Sequence, residues 1–260
     1  MIDYLQSHNV ILIGFIGSLA AGAATGIGAI PIFFTKKISH KMLDTMLGFA
    51  AGVMLAATSF SLIVPSIEYG GGGVKGAGIT VLGILFGGIF LDLMDKYSPH
   101  EHLLESRREG VSSSLSKVWL FIIAITLHNF PEGLAVGVGF GNGDIANGIS
   151  LAIGIGLQNI PEGLAVALAL VREDYSTSKA FMIALFTGLV EPVGGIIGVA
   201  LVQVAQPILP LGLSFAAGAM LFVISDEIIP ETHEHGHERL ATYGLLIGFV
   251  IMMFLDVTLG

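Results

Sequence analysis

Apolar residues form eight long runs along the chain, and short polar segments separate them. Each run has about 20 residues or more, which is the length that an α-helix needs to cross a bilayer. The runs predict eight transmembrane helices, which we number spans 1 to 8, near residues 9–34, 43–67, 77–95, 118–140, 146–171, 178–202, 208–231 and 240–259. Since they use most of the 260 residues, we expect one integral membrane domain over residues 1–260, of the all-α polytopic class.

The composition supports a membrane protein. Hydrophobic residues make up 53% of the chain and charged residues 12%, whereas a soluble domain has about 25% charged residues. The mean hydropathy is +0.85. The chain contains no cysteine, which excludes disulfides and thiolate metal ligands. Its net charge of -9 does not favour binding to nucleic acid.

The basic residues predict the orientation of the spans. Ten of the 11 Lys and Arg residues fall in alternate loops, and the other set of loops contains only Lys75. Because Lys and Arg accumulate on the cytoplasmic side of a membrane, we expect both termini to lie outside. We predict a multi-pass protein of a plasma (bacterial inner) membrane, with lipid around it.

Two pairs of sequence segments indicate an internal repeat. "FAAGVML" at Phe49–Leu55 in span 2 matches "FAAGAML" at Phe215–Leu221 in span 7. "FLD" occurs at Phe90–Asp92 in span 3 and at Phe254–Asp256 in span 8. Spans 1–3 and 6–8 therefore form a repeat, and because they cross the membrane in opposite directions the repeat is inverted. Inverted repeats around a central polar site are typical of secondary transporters.

A second repeat lies in spans 4 and 5. "LHNFPEGLAV" runs over Leu127–Val136 and "LQNIPEGLAV" over Leu157–Val166, and span 6 adds a Glu-Pro pair. On a helix, residues three and four apart share a face. Polar side chains at membrane depth are costly and are functional by default. We predict that seven side chains meet near the midplane: His128, Asn129, Glu132, Gln158, Asn159, Glu162 and Glu191.

These side chains indicate a metal ion. Three carboxylates cannot stay together in hydrocarbon unless protons or a cation balance their charge. Oxygen ligands with one imidazole and no thiolate suit a divalent first-row metal such as Zn²⁺, Fe²⁺ or Mn²⁺. The imidazole argues against a dedicated Mg²⁺ or Ca²⁺ site. We interpret the metal as a transported substrate, and we expect no cofactor and no catalytic residue.

The motifs resemble those of one transporter family. "HNFPEG", "QNIPEG" and "LVEPVGG" resemble spans 4, 5 and 6 of the ZIP (Zrt/Irt-like) family of divalent metal transporters. "LGFAAGVMLAATSFSLIVPSIE" and "DEIIPETHEHGHE" resemble its GufA-type branch. The resemblance implies eight helices in a 3+2+3 arrangement, outward termini and a homodimer. It also implies movement of metal into the cytoplasm, with Zn²⁺ as the main substrate and Fe²⁺, Mn²⁺ or Cd²⁺ as others.

The same resemblance implies the roles of the seven residues. A primary site would use His128, Glu132, Gln158 and Glu162. A second metal beside it would use Asn129, Glu132, Asn159, Glu162 and Glu191. In the binuclear members of the family the position of Asn159 is an aspartate. Since this chain has a neutral amide there, we expect a weaker second site.

Further polar residues follow span 7. Asp226 and Glu227 lie at its predicted cytoplasmic end, where the resemblance implies an exit path, and Asp92 at the matching end of span 3 joins this prediction. The next loop alternates histidines with acids: His233, His235 and His237. One reading is a solvated polar loop. Our hypothesis is that these histidines capture released metal or report its level, since His-rich tracts are typical of metal binding. We assign no role to Asp144 or Asp256.

Three mechanisms remain open from the sequence. The leading one is a carrier with alternating access, and protonation of the carboxylates is a hypothesis for the release step. A channel-like pore with an acidic filter is the alternative. An intramembrane metalloenzyme is disfavoured because H-E-x-x-H is absent and "HEHGH" has the wrong spacing. No P-loop indicates direct use of ATP.

Overall fold

The computed structural model describes residues 9–35, 37–97, 100–101, 108–109, 117–141 and 143–259. Nearly all of them are helical, which confirms the all-α polytopic class. In this part of the chain the only strands are His100–Glu101 and Arg108–Glu109, which pair antiparallel in the loop between spans 3 and 4.

The helices follow the apolar runs, and three of the spans change helix type along their length. Span 1 is Val10–Ala29 with a 3₁₀ turn at Ile30–Phe33, and spans 3, 4, 5 and 8 are Gly73–Tyr97, Lys117–Gly141, Ile145–Arg172 and Glu238–Leu259. Span 2 joins His40–Ala56 to Val64–Tyr69 through a π turn at Ala57–Ile63, and span 6 consists of Thr177–Gly188 and Glu191–Val204. Span 7 comprises Gln206–Ile208, Leu209–Val223, a π turn at Ile224–Ile228, and Ile229–Thr232.

The lengths of these helices suit a membrane. Within the described residues, seven helices are long and apolar enough to cross it, namely spans 1 to 3 and 5 to 8. Span 4 has 25 residues and occupies the fourth predicted run. Span 5 is central, with 72% of its most apolar window buried, whereas spans 3 and 8 are peripheral, with 22%.

Polar side chains cap the N-termini of several helices. Asn9 accepts a hydrogen bond from the Ile11 N–H, and Ser39 accepts one from the Met42 N–H. Asp144 accepts one from the Asn147 N–H and so begins span 5 shortly after span 4 ends. Such caps satisfy N–H groups that have no partner within the helix. This short connection makes spans 4 and 5 antiparallel neighbours, so their two motifs face each other.

Four helix pairs pack most closely, and they have the symmetry of the predicted repeat. These pairs are spans 1 and 5, 4 and 6, 2 and 8, and 3 and 7. If span 1 corresponds to 6, span 2 to 7, span 3 to 8 and span 4 to 5, the pair 1/5 corresponds to 6/4 and the pair 2/8 to 7/3. Glycines permit the close approach: a Cβ on Gly163 would lie 1.9 Å from the Thr25 carbonyl oxygen, and one on Gly133 would lie 2.0 Å from that of Glu191.

The two π turns also occupy matching places, since each follows the "FAAG" segment in its span. A π turn adds one residue to the helical circuit and is frequent at functional sites. In span 7 the turn leaves Ser225 and Asp226 exposed while it buries Glu227 against span 4. The side chains of neighbouring acids therefore face different parts of the molecule.

Candidate metal-transport site

Prolines shape the three helices that contribute the predicted site. Pro131 and Pro161 lie inside continuous helices, and Pro192 lies in the first turn of the second half of span 6. Each proline lacks an N–H group and cannot donate within its helix. The following glycines, Gly133 and Gly163, allow these segments to pack directly against neighbouring backbones. The Pro-Glu-Gly sequence thus places a carboxylate where a helix backbone lacks one hydrogen bond and is tightly packed.

All seven predicted transport-site residues are buried, with at most 4% of any of them exposed. They lie on spans 4, 5 and 6, which pack against one another and against span 1. The structure brings four of them into contact as two pairs. The Gln158 side-chain amide donates to Glu132 over 2.5 Å, so spans 4 and 5 are joined at this depth.

Asn159 makes the second pair. Its amide nitrogen donates to Glu191 over 2.6 Å and to the Ala21 carbonyl oxygen over 2.8 Å. This one side chain therefore links span 5 to spans 6 and 1. An aspartate at this position has no N–H to donate, so these two contacts depend on the amide.

His128 makes a different kind of contact. Its Nε2 lies 2.5 Å from Glu227 Oε1, and both side chains are buried. Glu227 was predicted to belong to an exit path, yet it is in direct contact with a predicted transport-site residue. The π turn of span 7 is the reason, because it directs Glu227 inward.

Several polar atoms of the site have no hydrogen-bond partner among the described residues. They comprise one nitrogen and six oxygens, from Asn129 (Nδ2 and Oδ1), Glu132, Gln158, Asn159, Glu162 and Glu191. Buried polar atoms are normally paired, and each exception needs an explanation. Oxygens with free lone pairs are the ligands that divalent cations bind.

The described side chains do not form a finished metal cage. Among them, no three His, Asp or Glu residues have the spacing to hold one ion. The hydrogen bonds explain this arrangement: Gln158 holds Glu132, Asn159 holds Glu191, and His128 contacts Glu227. A metal at this site would replace some of these contacts.

A cavity adjoins one side of the site. Its polar lining consists of His128, Glu132 and Glu162 together with Glu227 and Glu231 of span 7. Glu227 and Glu231 are four residues apart and share a helix face. Glu231 lies near the end of span 7 that we predict to be cytoplasmic, so the cavity extends from the site in that direction. Sequence reasoning missed Glu231, although its place one turn after Glu227 was a usable signal.

The remaining predicted exit residues are in two other places. Asp92 and Asp226 are exposed and line a groove between spans 3 and 7, together with Ser225. His235 and His237 contact the carboxylate of Asp44, which sequence reasoning also missed. The Nδ1 of His233 instead lies 2.8 Å from the Ile229 carbonyl oxygen. A lone Asp near the start of an apolar span was the signal for Asp44.

The two acids without a predicted role lie at the opposite end of the bundle. Asp256 accepts hydrogen bonds from the hydroxyl groups of Ser61 and Ser150, which joins spans 8, 2 and 5. Asp144 caps span 5 and also accepts a hydrogen bond from the Tyr69 hydroxyl over 3.0 Å. Both have structural contacts that explain their presence.

Comparisons with known proteins agree with the geometry. The family described as "ZIP Zinc transporter" matches residues 96–256. Zinc transporter GufA of Myxococcus xanthus is 47% identical over 251 residues, which cover 95% of this chain and 99% of that protein. Zinc transporter ZIPB of Bordetella bronchiseptica is 42% identical over 100% of this chain and 86% of its own length. Human zinc transporter ZIP11 is 34% identical over 98% of this chain. The chain therefore belongs to the ZIP family of zinc transporters.

Proposed function

We propose that this protein moves divalent transition-metal ions, with Zn²⁺ as the principal substrate, across the membrane into the cytoplasm. The main support is the cavity that His128, Glu132 and Glu162 share with Glu227 and Glu231, since it places metal-ligand side chains at membrane depth beside acids on the predicted cytoplasmic half of span 7. The names of the relatives support zinc. In this proposal the protein is a transporter and not an enzyme, and the metal is cargo.

The primary site uses His128, Glu132, Gln158 and Glu162. One imidazole and two carboxylates suit Zn²⁺, which binds His nitrogen and carboxylate oxygen. For the ion to bind the His128 Nε2 atom, His128 must leave Glu227. Glu132 Oε2 and Gln158 Oε1 have no partner among the described residues and can bind the ion while the hydrogen bond between these two side chains persists. The cost of breaking the His128 contact lowers the net affinity, which suits a site that must release its cargo.

The second site, formed by Asn129, Glu132, Asn159, Glu162 and Glu191, is weak in this proposal. Asn159 holds the Glu191 carboxylate over 2.6 Å and is itself held by the Ala21 carbonyl oxygen. A second ion can bind Glu191 Oε2 and Asn159 Oδ1, which have no partner among the described residues, but Asn159 offers it only a neutral amide oxygen. An amide ligand has no charge to offset that of the cation, so occupancy depends on high metal concentration.

Release proceeds along span 7 in this proposal. His128 passes the ion to Glu227, which it already contacts, and Glu231 lies one helical turn further along the same cavity. Asp92 and Asp226 line a separate groove and would receive ions beside this route.

We propose a carrier with alternating access, built as a homodimer with 3+2+3 helices and outward termini in the bacterial inner membrane. The closely packed symmetric helix pairs favour this repeat architecture.

A flux experiment tests the proposal. The protein is reconstituted in liposomes that contain a metal-sensitive fluorophore, and influx of Zn²⁺, Fe²⁺, Mn²⁺ and Cd²⁺ is followed. We expect saturable Zn²⁺ influx that falls at least about 100-fold in Glu162→Ala and His128→Ala, because ligand loss exceeds the 10–100-fold cost of losing a supporting contact. Glu173→Gln is the matched control, since Glu173 is exposed at the end of the same helix as Glu162.

The outcomes separate the alternatives. Influx that rises linearly with metal concentration would indicate the channel-like pore, with the same residues as a filter. Absence of flux for every metal in the wild-type protein would contradict transport. Full activity in both ligand variants would show that the ion crosses elsewhere.

A further inference from the structure

A threonine of span 1 lies unpaired where spans 1, 5 and 6 cross. Thr25 is only 1% exposed, and among the described residues its Oγ1 is the one buried hydroxyl oxygen without a hydrogen-bond partner. A Cβ added to Gly163 of span 5 would lie 1.9 Å from the Thr25 carbonyl oxygen, and one added to Gly188 of span 6 would lie 2.5 Å from Thr25 Oγ1. Buried polar groups are normally paired, so this exception needs an explanation.

The usual partner of such a hydroxyl is already taken. In a helix, a threonine hydroxyl can donate to the carbonyl oxygen four residues earlier. Three other threonines of the chain do so, over 2.7, 2.9 and 2.6 Å, namely Thr45, Thr80 and Thr126. For Thr25 that oxygen belongs to Ala21, and it accepts the Asn159 amide over 2.8 Å. A carbonyl oxygen has two lone pairs; the helical N–H of Thr25 uses one, and Asn159 uses the other.

We propose that Thr25 and Asn159 compete for the Ala21 carbonyl oxygen, and that Thr25 is thereby a positioning residue for the second metal site. The two N–H groups of Asn159 go to Glu191 and Ala21, and its Oδ1 has no partner among the described residues. A cation at Oδ1 attracts this oxygen and repels the N–H groups. The Asn159 side chain then turns toward the ion, and the Thr25 hydroxyl rotates and donates to Ala21 in its place.

This exchange favours the ion-bound state. Without the ion, the Thr25 hydroxyl is buried and unpaired, which is costly. With the ion, Thr25 is paired with Ala21, and the Ala21 carbonyl oxygen is not left without its second partner. The turn of Asn159 therefore costs less than it would beside an apolar residue. Only this link to ion binding rests on the proposed function, because the competition itself is measured without metal.

Thermal unfolding of the metal-free protein in detergent tests the competition. Thr25→Val removes the hydroxyl and should leave the unfolding temperature of the otherwise wild-type protein unchanged or raise it, because the hydroxyl has no partner to lose. Asn159→Leu removes the amide donor, so the Thr25 hydroxyl should pair with Ala21. In that background Thr25→Val should lower the unfolding temperature by about 2–4 °C, since it leaves the carbonyl oxygen unpaired. Asn159→Ala is a second background that should reverse the sign in the same way.

Two further variants are the matched controls. Thr187→Val removes another buried hydroxyl, one that already donates to the Ala184 carbonyl oxygen over 2.7 Å, and its effect should be the same with and without Asn159. Thr25→Ser keeps the hydroxyl, so its effect should also be independent of Asn159. The competition is overturned if Thr25→Val changes the unfolding temperature equally in all backgrounds, or if Thr25→Ser or Thr187→Val depends on Asn159 as strongly as Thr25→Val does.

A zinc titration tests the positioning role. Equilibrium dialysis of the full-length protein in lipid nanodiscs gives the zinc concentration at which a second ion binds. We expect Thr25→Val to raise this concentration about 3–10-fold, since the ion-bound state loses one hydrogen bond, and Thr25→Ser to leave it unchanged. An unchanged concentration in Thr25→Val overturns the positioning role. If the sign of the Thr25→Val effect reverses and no variant binds a second ion, the proposed second site fails and the competition stands.

Discussion

The two copies of the Pro-Glu-Gly motif are nearly identical in sequence and differ in what they contact. In span 5, Gln158 and Asn159 act as donors and hold the carboxylates of Glu132 and Glu191 on neighbouring helices. In span 4, His128 contacts Glu227 of span 7. The span 5 copy therefore links neighbouring helices at the site, whereas the span 4 copy contacts span 7 through His128. An inverted repeat provides symmetric backbones, and single side-chain differences give each half its own role.

The largest expected effect comes from replacing the glycine that follows Pro-Glu in each copy of the motif. A Cβ on Gly163 would lie 1.9 Å from the Thr25 carbonyl oxygen, and one on Gly133 would lie 2.0 Å from that of Glu191. We expect Gly163→Ala and Gly133→Ala each to destabilise the protein by about 1–3 kcal/mol or more, since overpacking forces the backbones apart. Thermal unfolding in detergent measures the effect.

Gly156→Ala is the control for these glycine variants. It lies on the same helix as Gly163, but its added Cβ would stay 3.7 Å from the nearest atom, Cα of Ala21. Equal unfolding temperatures for Gly156→Ala and Gly163→Ala would contradict the close packing of spans 1 and 5.

The difference between the copies is tested next by giving both of them a histidine at the matching position. Gln158→His gives span 5 the imidazole of span 4 and removes the amide that donates to Glu132. Because imidazole is a stronger ligand for zinc than an amide oxygen, we expect a lower KM for zinc influx and a lower maximal rate, as release becomes slower. Concentration-dependent influx in liposomes separates the two effects. A raised KM would mean that Gln158 serves the site through its hydrogen bond to Glu132 alone.

The smallest expected effect on transport concerns the second ion. Asn159→Asp removes the donor to Glu191 and to the Ala21 carbonyl oxygen and adds a carboxylate. We expect the bound zinc to rise by about one ion per chain, since a charged ligand replaces a neutral one, while influx changes only several-fold. Equilibrium dialysis at saturating zinc counts the ions. An unchanged count would show that the amide is not what weakens the second site, and Asn147→Asp, on the same helix, controls for added charge.

Much of the fold could be predicted because helix formation in a membrane is decided locally. The apolar runs predicted all-helical spans, and "FAAGVML" with "FAAGAML" predicted a symmetry that the helix pairs also have. The motif residues were predicted as one buried group, and all seven are buried. Their binding of metal stays a prediction.

Other features were hidden because they depend on contacts between distant segments. Asp44 has no motif around it, and the segment "DEIIPETHEHGHE" around Glu231 does not indicate which residues it contacts. Only the packing of spans 2, 4 and 7 shows the neighbours of these two acids. The adjacent acids Asp226 and Glu227 also look equivalent in sequence. The π turn of span 7 places Asp226 in an exposed groove and Glu227 in a buried contact with His128.

The sequence alone therefore determined the membrane class, the span positions, the family resemblance and the residues with metal-ligand chemistry, because hydropathy and helical periodicity act within a single helix. Only the tertiary structure decided which partner each polar side chain takes. At membrane depth an unpaired polar group is costly, so Gln158, Asn159 and His128 each contact a carboxylate that a neighbouring helix offers. That choice assigns Glu132 to Gln158, Glu191 to Asn159 and His128 to Glu227.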